Sequence, residues 1–189
     1  MIQVAMEGRV RRITLAGGVE RNYLSSADCK QLSEIWRAAD SDAATGVILI
    51  DAEGPVFCAG MDPAACDELL LQPLSKSLVV AAQGPAISAG VGLLAKAHIA
   101  LAAQGTTFGI TDIRQNRYSE ALYACIAGAI GQRRATELCL TGRIFSANEA
   151  LAWGLVHQMA PPIELEDRAE AVAKLLAAAD PSVVSRILA

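Results

Sequence analysis

The chain has 189 residues, of which 53% are hydrophobic and 19% charged, a balance that excludes a disordered chain and leaves room for one well-filled domain. Sixteen Lys and Arg against 20 Asp and Glu give a net charge of −4, so no positive field gathers nucleic-acid phosphates. Five cysteines, an odd number without a C-x-x-C pair, predict buried thiols in a reducing compartment and no zinc knuckle. The opening MIQVAMEGRVRR lacks the basic-then-apolar order of a secretion signal, so the expected location is the cytoplasm.

In chain order, VAMEGRVRRITLAGG alternates around Val4, Met6, Val10, Ile13 and Leu15 with Gly8 near a turn, which predicts a hairpin. Ser25 or Ser26 can cap a helix whose apolar face is Cys29, Leu32, Ile35, Trp36 and Ala39, ending in DSDA. Val47–Ile50 is a short β-branched and leucine run of the kind buried inside a parallel sheet. Ser77–Ala95 is uncharged and almost long enough to span a bilayer, but Gln83, Gly84, Pro85 and Ser88 break it into a strand, a turn and a small-residue helix. No membrane span is expected. A further strand follows, and the last third is helical. Gly131–Thr141 carries Ala135, Leu138 and Leu140; Ser146 and Glu149 have capping-box spacing with Gly154 to end that helix; and an amphipathic segment runs on from Glu164. The alternation of strand and helix predicts an α/β fold.

Two segments carry the chemistry. Phe57-Cys58-Ala59-Gly60-Met61-Asp62 follows a buried strand, and Gly84-Pro85-Ala86-Ile87-Ser88-Ala89-Gly90-Val91-Gly92 leads from a strand into a helix. Small side chains in both leave backbone amides open to a ligand, and two such turns can hold one oxygen between them. Either segment alone could equally serve tight helix–sheet packing.

Taken in order with Asn22-Tyr23-Leu24, Phe108-Gly109, ATELCLTG and SANEALAWGLV, these motifs resemble the crotonase superfamily, the enoyl-CoA hydratase/isomerase family, from about Val10 to about Pro161. The resemblance implies a spiral of ββα units (1–160) with a short helical tail (161–189) in a single domain, an acyl-CoA thioester as substrate, and a homo-oligomer, a trimer or dimer of trimers. It implies no metal or redox cofactor, since the thioester carbonyl is itself the electron sink, and it names neither a nucleic-acid nor a membrane partner. By position, the Met61 and Ala89 amides form the oxyanion hole, while Asn22, Leu24, Ala59, Gly60, Asp62, Ser88 and Gly90 bind substrate. Ala89 replaces the usual middle glycine of a triplet.

The acids depart from the family pattern. Where a hydratase glutamate follows the triplet this chain has Gly92, and Asp112 matches the second glutamate after Phe-Gly. Shifting a double bond needs one carboxylate that removes and returns a proton, whereas hydration by the family's route uses two, so the pattern leans toward isomerase-like chemistry. Glu120 is a second candidate, or a solvated helix charge; Asp112 is a base, or the ion-pair partner of Arg114 or Arg117. Arg114, Arg117, Lys76 and Lys96 are candidate phosphate contacts or plain surface. His98, where relatives often have an acid, reads as structural. The segment PAACDELLLQPLSKS is short for a lid over an acyl pocket. Two alternatives remain open at this stage: a non-catalytic CoA-binding or assembly subunit, and a Clp-like serine peptidase using Ser88, although neither His98 nor His157 falls where its base belongs.

Overall fold

The structure, a computed structural model, describes residues 2–17 and 21–188. Gly18, at the end of the expected hairpin segment, and the two ends of the expected domain, positions 1 and 189, lie outside the described residues.

A six-stranded sheet is the frame, in the order β1-β2-β3-β4-β6-β9. β1 (Ile2–Glu7) and β2 (Val10–Leu15) form the expected antiparallel hairpin about Gly8. Only Ile2 of β1 is buried, because β1 is the sheet edge, and Val4 and Met6 stay exposed despite the alternating pattern. β3 (Val47–Ala52), β4 (Ser77–Ala82), β6 (Ile99–Ala103) and β9 (Gln158–Ala160) follow in parallel. Their continuous apolar runs are explained by cover on both faces. In β3, Val47 and Leu49 join one core and Ile48 and Ile50 the other, as the twofold alternation of a strand requires.

One face is covered by α7 (Leu165–Ala177), whose Leu165, Ala169, Ala173 and Ala177 lie against Val47, Leu49, Val79 and Leu101. The alanine stripe lets the helix sit close to the sheet, so α7 belongs to the core instead of forming a tail. Arg12 of β2 fastens it, donating to Asp51 of β3 at 2.6 Å and to Glu166 of α7 at 2.5 Å. α8 (Pro181–Leu188) buries no residue.

The other face carries α1 (Ser26–Ser41), capped by Ser25 in a capping box with Asp28, and the larger core of Trp36, Leu32, Phe57, Phe108 and Phe145. On this side lie α2 (Pro63–Leu71), α3 (Ala89–Lys96), α4 (Glu120–Ile130), α5 (Gln132–Thr141) and α6 (Ala147–Trp153). The capping box of Ser146 and Glu149 and the left-handed Gly154 bound α6 as the sequence predicts. Leu140 of α5 is largely exposed, contrary to its apolar spacing. Cys29, Cys58 and Cys66 are buried, while Cys125 and Cys139 are only half-buried, a correction to the expectation for all five.

A second, shorter sheet sits over the ends of the first: β5 (Ala86–Ile87), β7 (Thr107–Gly109) and β8 (Ile144–Ser146). Isolated bridges extend it, Cys58 to Ala86 and Leu24 to Met61. The uncharged stretch from 77 is broken after Ala82, and among the described residues no helix is long and apolar enough to cross a membrane.

Candidate active site

The two glycine-and-alanine turns are strapped side by side. Phe57 N–H donates to the Pro85 carbonyl at 3.0 Å and Ile87 N–H to the Cys58 carbonyl at 2.9 Å. Gly90 is required here, because a Cβ at that position would come 2.7 Å from the Cys58 carbonyl oxygen. On the outer side, Leu24 N–H donates to the Gly60 carbonyl at 3.0 Å and Asp62 N–H to the Leu24 carbonyl at 2.8 Å. Leu24 is therefore a buried bracket for the first turn and is not among the residues lining the cavity beside it.

This strapping consumes the amides of residues 57, 58, 59, 62, 87 and 88. Met61 and Ala89 are different: neither amide donates to another group among the described residues, and both residues line one cavity of about 300 Å³. Ala89 opens α3, where N–H groups have no intrahelical partner and the helix dipole is positive. Ser88, just before it, has φ +49°, a conformation that costs a non-glycine residue about 1–3 kcal/mol. Its amide donates to the Gly109 carbonyl at 2.7 Å, and its Oγ accepts the Thr111 N–H at 3.2 Å. Ala59, Gly60 and Ser88 line the same cavity; Gly90 packs behind it.

Asp112 begins a 3-10 turn (112–115) directly after β7 and lines the cavity. Its Oδ2 is buried without a hydrogen-bond partner. It pairs with neither Arg114 nor Arg117; its carbonyl, not its carboxylate, accepts the Arg117 N–H at 3.0 Å. Arg117 lines the cavity as well. Asp112 and Leu122 also border an adjoining, mainly apolar chamber of about 210 Å³ with Ile110, Tyr123, Cys139 and Leu140.

Several expected site residues stand elsewhere. Asn22 is 2% exposed, and its side chain is spent on structure: Oδ1 accepts the Gly17 N–H at 2.6 Å, and Nδ2 donates to the Glu53 and Val56 carbonyls. Asp62 caps α2, accepting from the Ala64 N–H and the Ser26 hydroxyl, and these bonds hold its carboxyl below the usual range. Glu120 is exposed in the first turn of α4 and lines neither cavity. Lys96 is no surface base. Its Nζ donates to the Leu70 and Gln72 carbonyls at 2.8 and 2.5 Å, closing the C-terminus of α2. His98 and His157 accept strand amides of the central sheet at Nδ1, from Leu78 at 2.8 Å and Ala100 at 3.1 Å, and neither lines the cavity with Ser88.

A Cβ at Gly92 would lie 2.9 Å from Leu70 Cδ1 and 2.9 Å from Leu122 Cδ1, so that place is filled by hydrocarbon. Asp67, which sequence reasoning passed over, is the other carboxylate lining the cavity. It shares a face of α2 with Pro63 and Cys66, and this i, i+3, i+4 spacing from the first helical residue was the available signal. Cys66 lies beside it. Burial, and then the neighbouring Asp67, push its thiol up to about 12, so it is protonated at neutral pH and no nucleophile. Tyr23 and Tyr118 are the aromatic residues of the cavity wall. Among the described residues no group of His, Cys, Asp and Glu is arranged to hold a metal ion.

A parallel sheet covered on both faces, with two unengaged amides and two carboxylates among the residues lining one cavity, defines an α/β protein of crotonase-like fold. The sequence profile of the enoyl-CoA hydratase/isomerase family matches residues 66–188, and the chain belongs to that family. It is 31% identical to the mitochondrial enoyl-CoA hydratase domain-containing protein 3 of Rattus norvegicus over 93% of this chain and 65% of the relative. It is 27% identical to the (E)-benzylidenesuccinyl-CoA hydratase of Thauera aromatica, over 95% of this chain and 77% of that one. Among solved structures, enoyl-CoA hydratase from Bacillus anthracis superposes with a TM-score of 0.91 at 27% identity, covering 97% of this chain and 79% of that one. The chain thus spans about 65% of the length of the rat relative.

Proposed function

We propose that this protein acts on an acyl-CoA thioester, polarising its carbonyl with the Met61 and Ala89 amides while Asp112 moves a proton, in a double-bond shift rather than a hydration. The observation that carries this reading is the pair of unengaged amides at one cavity with an unpaired carboxylate oxygen in its wall. Preorganised N–H donors stabilise a developing oxyanion by about 3 kcal/mol each in comparable sites, and they do so without side chains. With the thioester carbonyl oxygen held at these amides, Asp112 takes the α-proton as the C–H electron pair moves through to that oxygen and forms the enolate. The buried Oδ2 suits a base geometrically, since no donor occupies the oxygen that would take the proton. The names of the relatives, which include hydratases of CoA thioesters, support a CoA-linked substrate. The absence of a carboxylate at Gly92, where leucine methyls stand instead, supports an isomerase-like reaction.

The test is incubation with 2-enoyl-CoA and 3-enoyl-CoA thioesters in deuterated buffer, following label at the α and γ carbons. The parent should incorporate deuterium, and Asp112→Asn should lose about 10²- to 10⁴-fold, the usual worth of a general base. Exchange in Asp112→Asn as fast as in the parent would overturn the assignment. Tight binding of CoA esters without exchange would favour a non-catalytic subunit.

A further inference from the structure

The allylic shift needs a proton removed at the α carbon and one delivered at the γ carbon, and the cavity wall holds a second carboxyl group placed for the latter. Asp67 comes from α2, while Asp112 comes from the 3-10 turn after β7, so the two acids enter the cavity from different elements. Ser119 Oγ donates to Asp67 Oδ1 at 2.5 Å and itself accepts the Leu122 N–H at 3.0 Å, which holds the acid against the start of α4. Oδ2 of Asp67 is left without a partner among the described residues. Cys66 lies within electrostatic reach of both acids, so the two flank one stretch of wall. No other carboxylate lines the cavity among the described residues, and Glu120 is outside it.

We propose that Asp67 is the second proton-transfer residue of this site, delivering to the γ carbon of a 3-enoyl-CoA the proton that completes its conversion to the 2-enoyl-CoA; this rests on the acyl-CoA reading above. The cycle requires one proton taken up from solvent by Asp67 Oδ2 before turnover. Asp112 takes the α-proton, and the C–H pair passes into a dienolate whose oxygen lies at the Met61 and Ala89 amides. The Asp67 O–H bond then breaks as the γ C–H bond forms, the double bond settles between the α and β carbons, and the carbonyl is restored. One proton has entered at Asp112 and one has left Asp67. Exchange with solvent resets the pair, and no co-reactant is consumed. Leu70 and Leu122 methyls stand beside Gly92, where relatives of the hydratase type carry a glutamate.

The experiment uses 3-hexenoyl-CoA carrying two deuterons at the α carbon, in ordinary water, with products read by mass and NMR. In the parent, the γ carbon of the product should carry protium from solvent, because two different acids handle the two protons. Asp67→Asn should isomerise at least 100-fold more slowly, yet still wash α-deuterium into water through Asp112, which also shows that the variant is folded with its oxyanion hole intact. The proposal is overturned if Asp67→Asn isomerises within about twofold of the parent, or if the parent carries α-deuterium across to the γ carbon, as a single shuttling acid would. Complete retention of both α-deuterons by the parent, with loss neither to water nor to the γ carbon, would instead overturn the acyl-CoA reading itself.

Discussion

At residue scale, the site depends on what two glycines omit. Gly90 lets the second turn lie against the Cys58 carbonyl, and Gly92 makes room for Leu70 and Leu122. Restoring a glutamate at position 92 is therefore expected to damage the fold rather than create a hydratase. Its Cβ would start 2.9 Å from two leucine methyls, and its charge would be buried among them. Gly92→Glu should lose about 3 kcal/mol or more in chemical denaturation, the combined cost of overpacking and of an unpaired buried carboxylate, with no gain in hydration of 2-enoyl-CoA. A variant as stable as the parent that hydrates would refute this. The two amide-presenting turns were legible from their small residues, because backbone donors need only the absence of bulk, while their assignment to residues 61 and 89 came from the family resemblance. Asn22 misled because a polar residue in a motif says nothing about which groups consume it; three backbone partners take its side chain out of the site.

At element scale, α2 forms one wall of the cavity. It carries Pro63, Cys66 and Asp67 into the cavity and is tied at both ends, by Asp62 at its N-terminus and by Lys96 from the end of α3. Lys96 also lies 5.7 Å from the centroid of the Trp36 ring on α1, so one ammonium joins three helices. Lys96→Met keeps the aliphatic stem but removes the donors to the Leu70 and Gln72 carbonyls. A loss of about 2 kcal/mol is expected from these charge-assisted bonds, measured by thermal or urea unfolding. Because Asp67 rides on this helix, isomerisation should fall more than α-deuterium washout; equal falls would show that α2 does not position Asp67. The sequence marked α2 as short, but that its length suffices to place an acid beside Asp112 depends on the packing of α4, whose Ser119 meets Asp67 from a point 52 residues away.

At the scale of the whole molecule, a rigid parallel sheet supports a small second sheet that forms the site. The central strands are pinned by neutral imidazole. His98 accepts the Leu78 N–H, and burial, followed by the nearby Lys96 charge, pushes its pKa down. Since the folded value lies below the unfolded value of about 6.5, His98 supports stability above that pH and the support is lost as pH falls through the folded value. The melting temperature should therefore drop on going from pH 7.5 to pH 5, and the drop should be smaller in His98→Gln. An unchanged drop in that variant would remove His98 from the account. By itself the sequence determined what is local: the hairpin, the capped helices α1 and α6, the break after Ala82, and the two small-residue turns, all written in periodicity, caps and glycines. Tertiary structure alone decided what is shared between distant segments, namely that α7 covers the sheet, that Glu120 is outside the cavity, and that Asp67 stands inside it. The reason is that a side chain's neighbours across a fold are set by packing of many elements at once, while the signals read along a chain extend only over a turn or two.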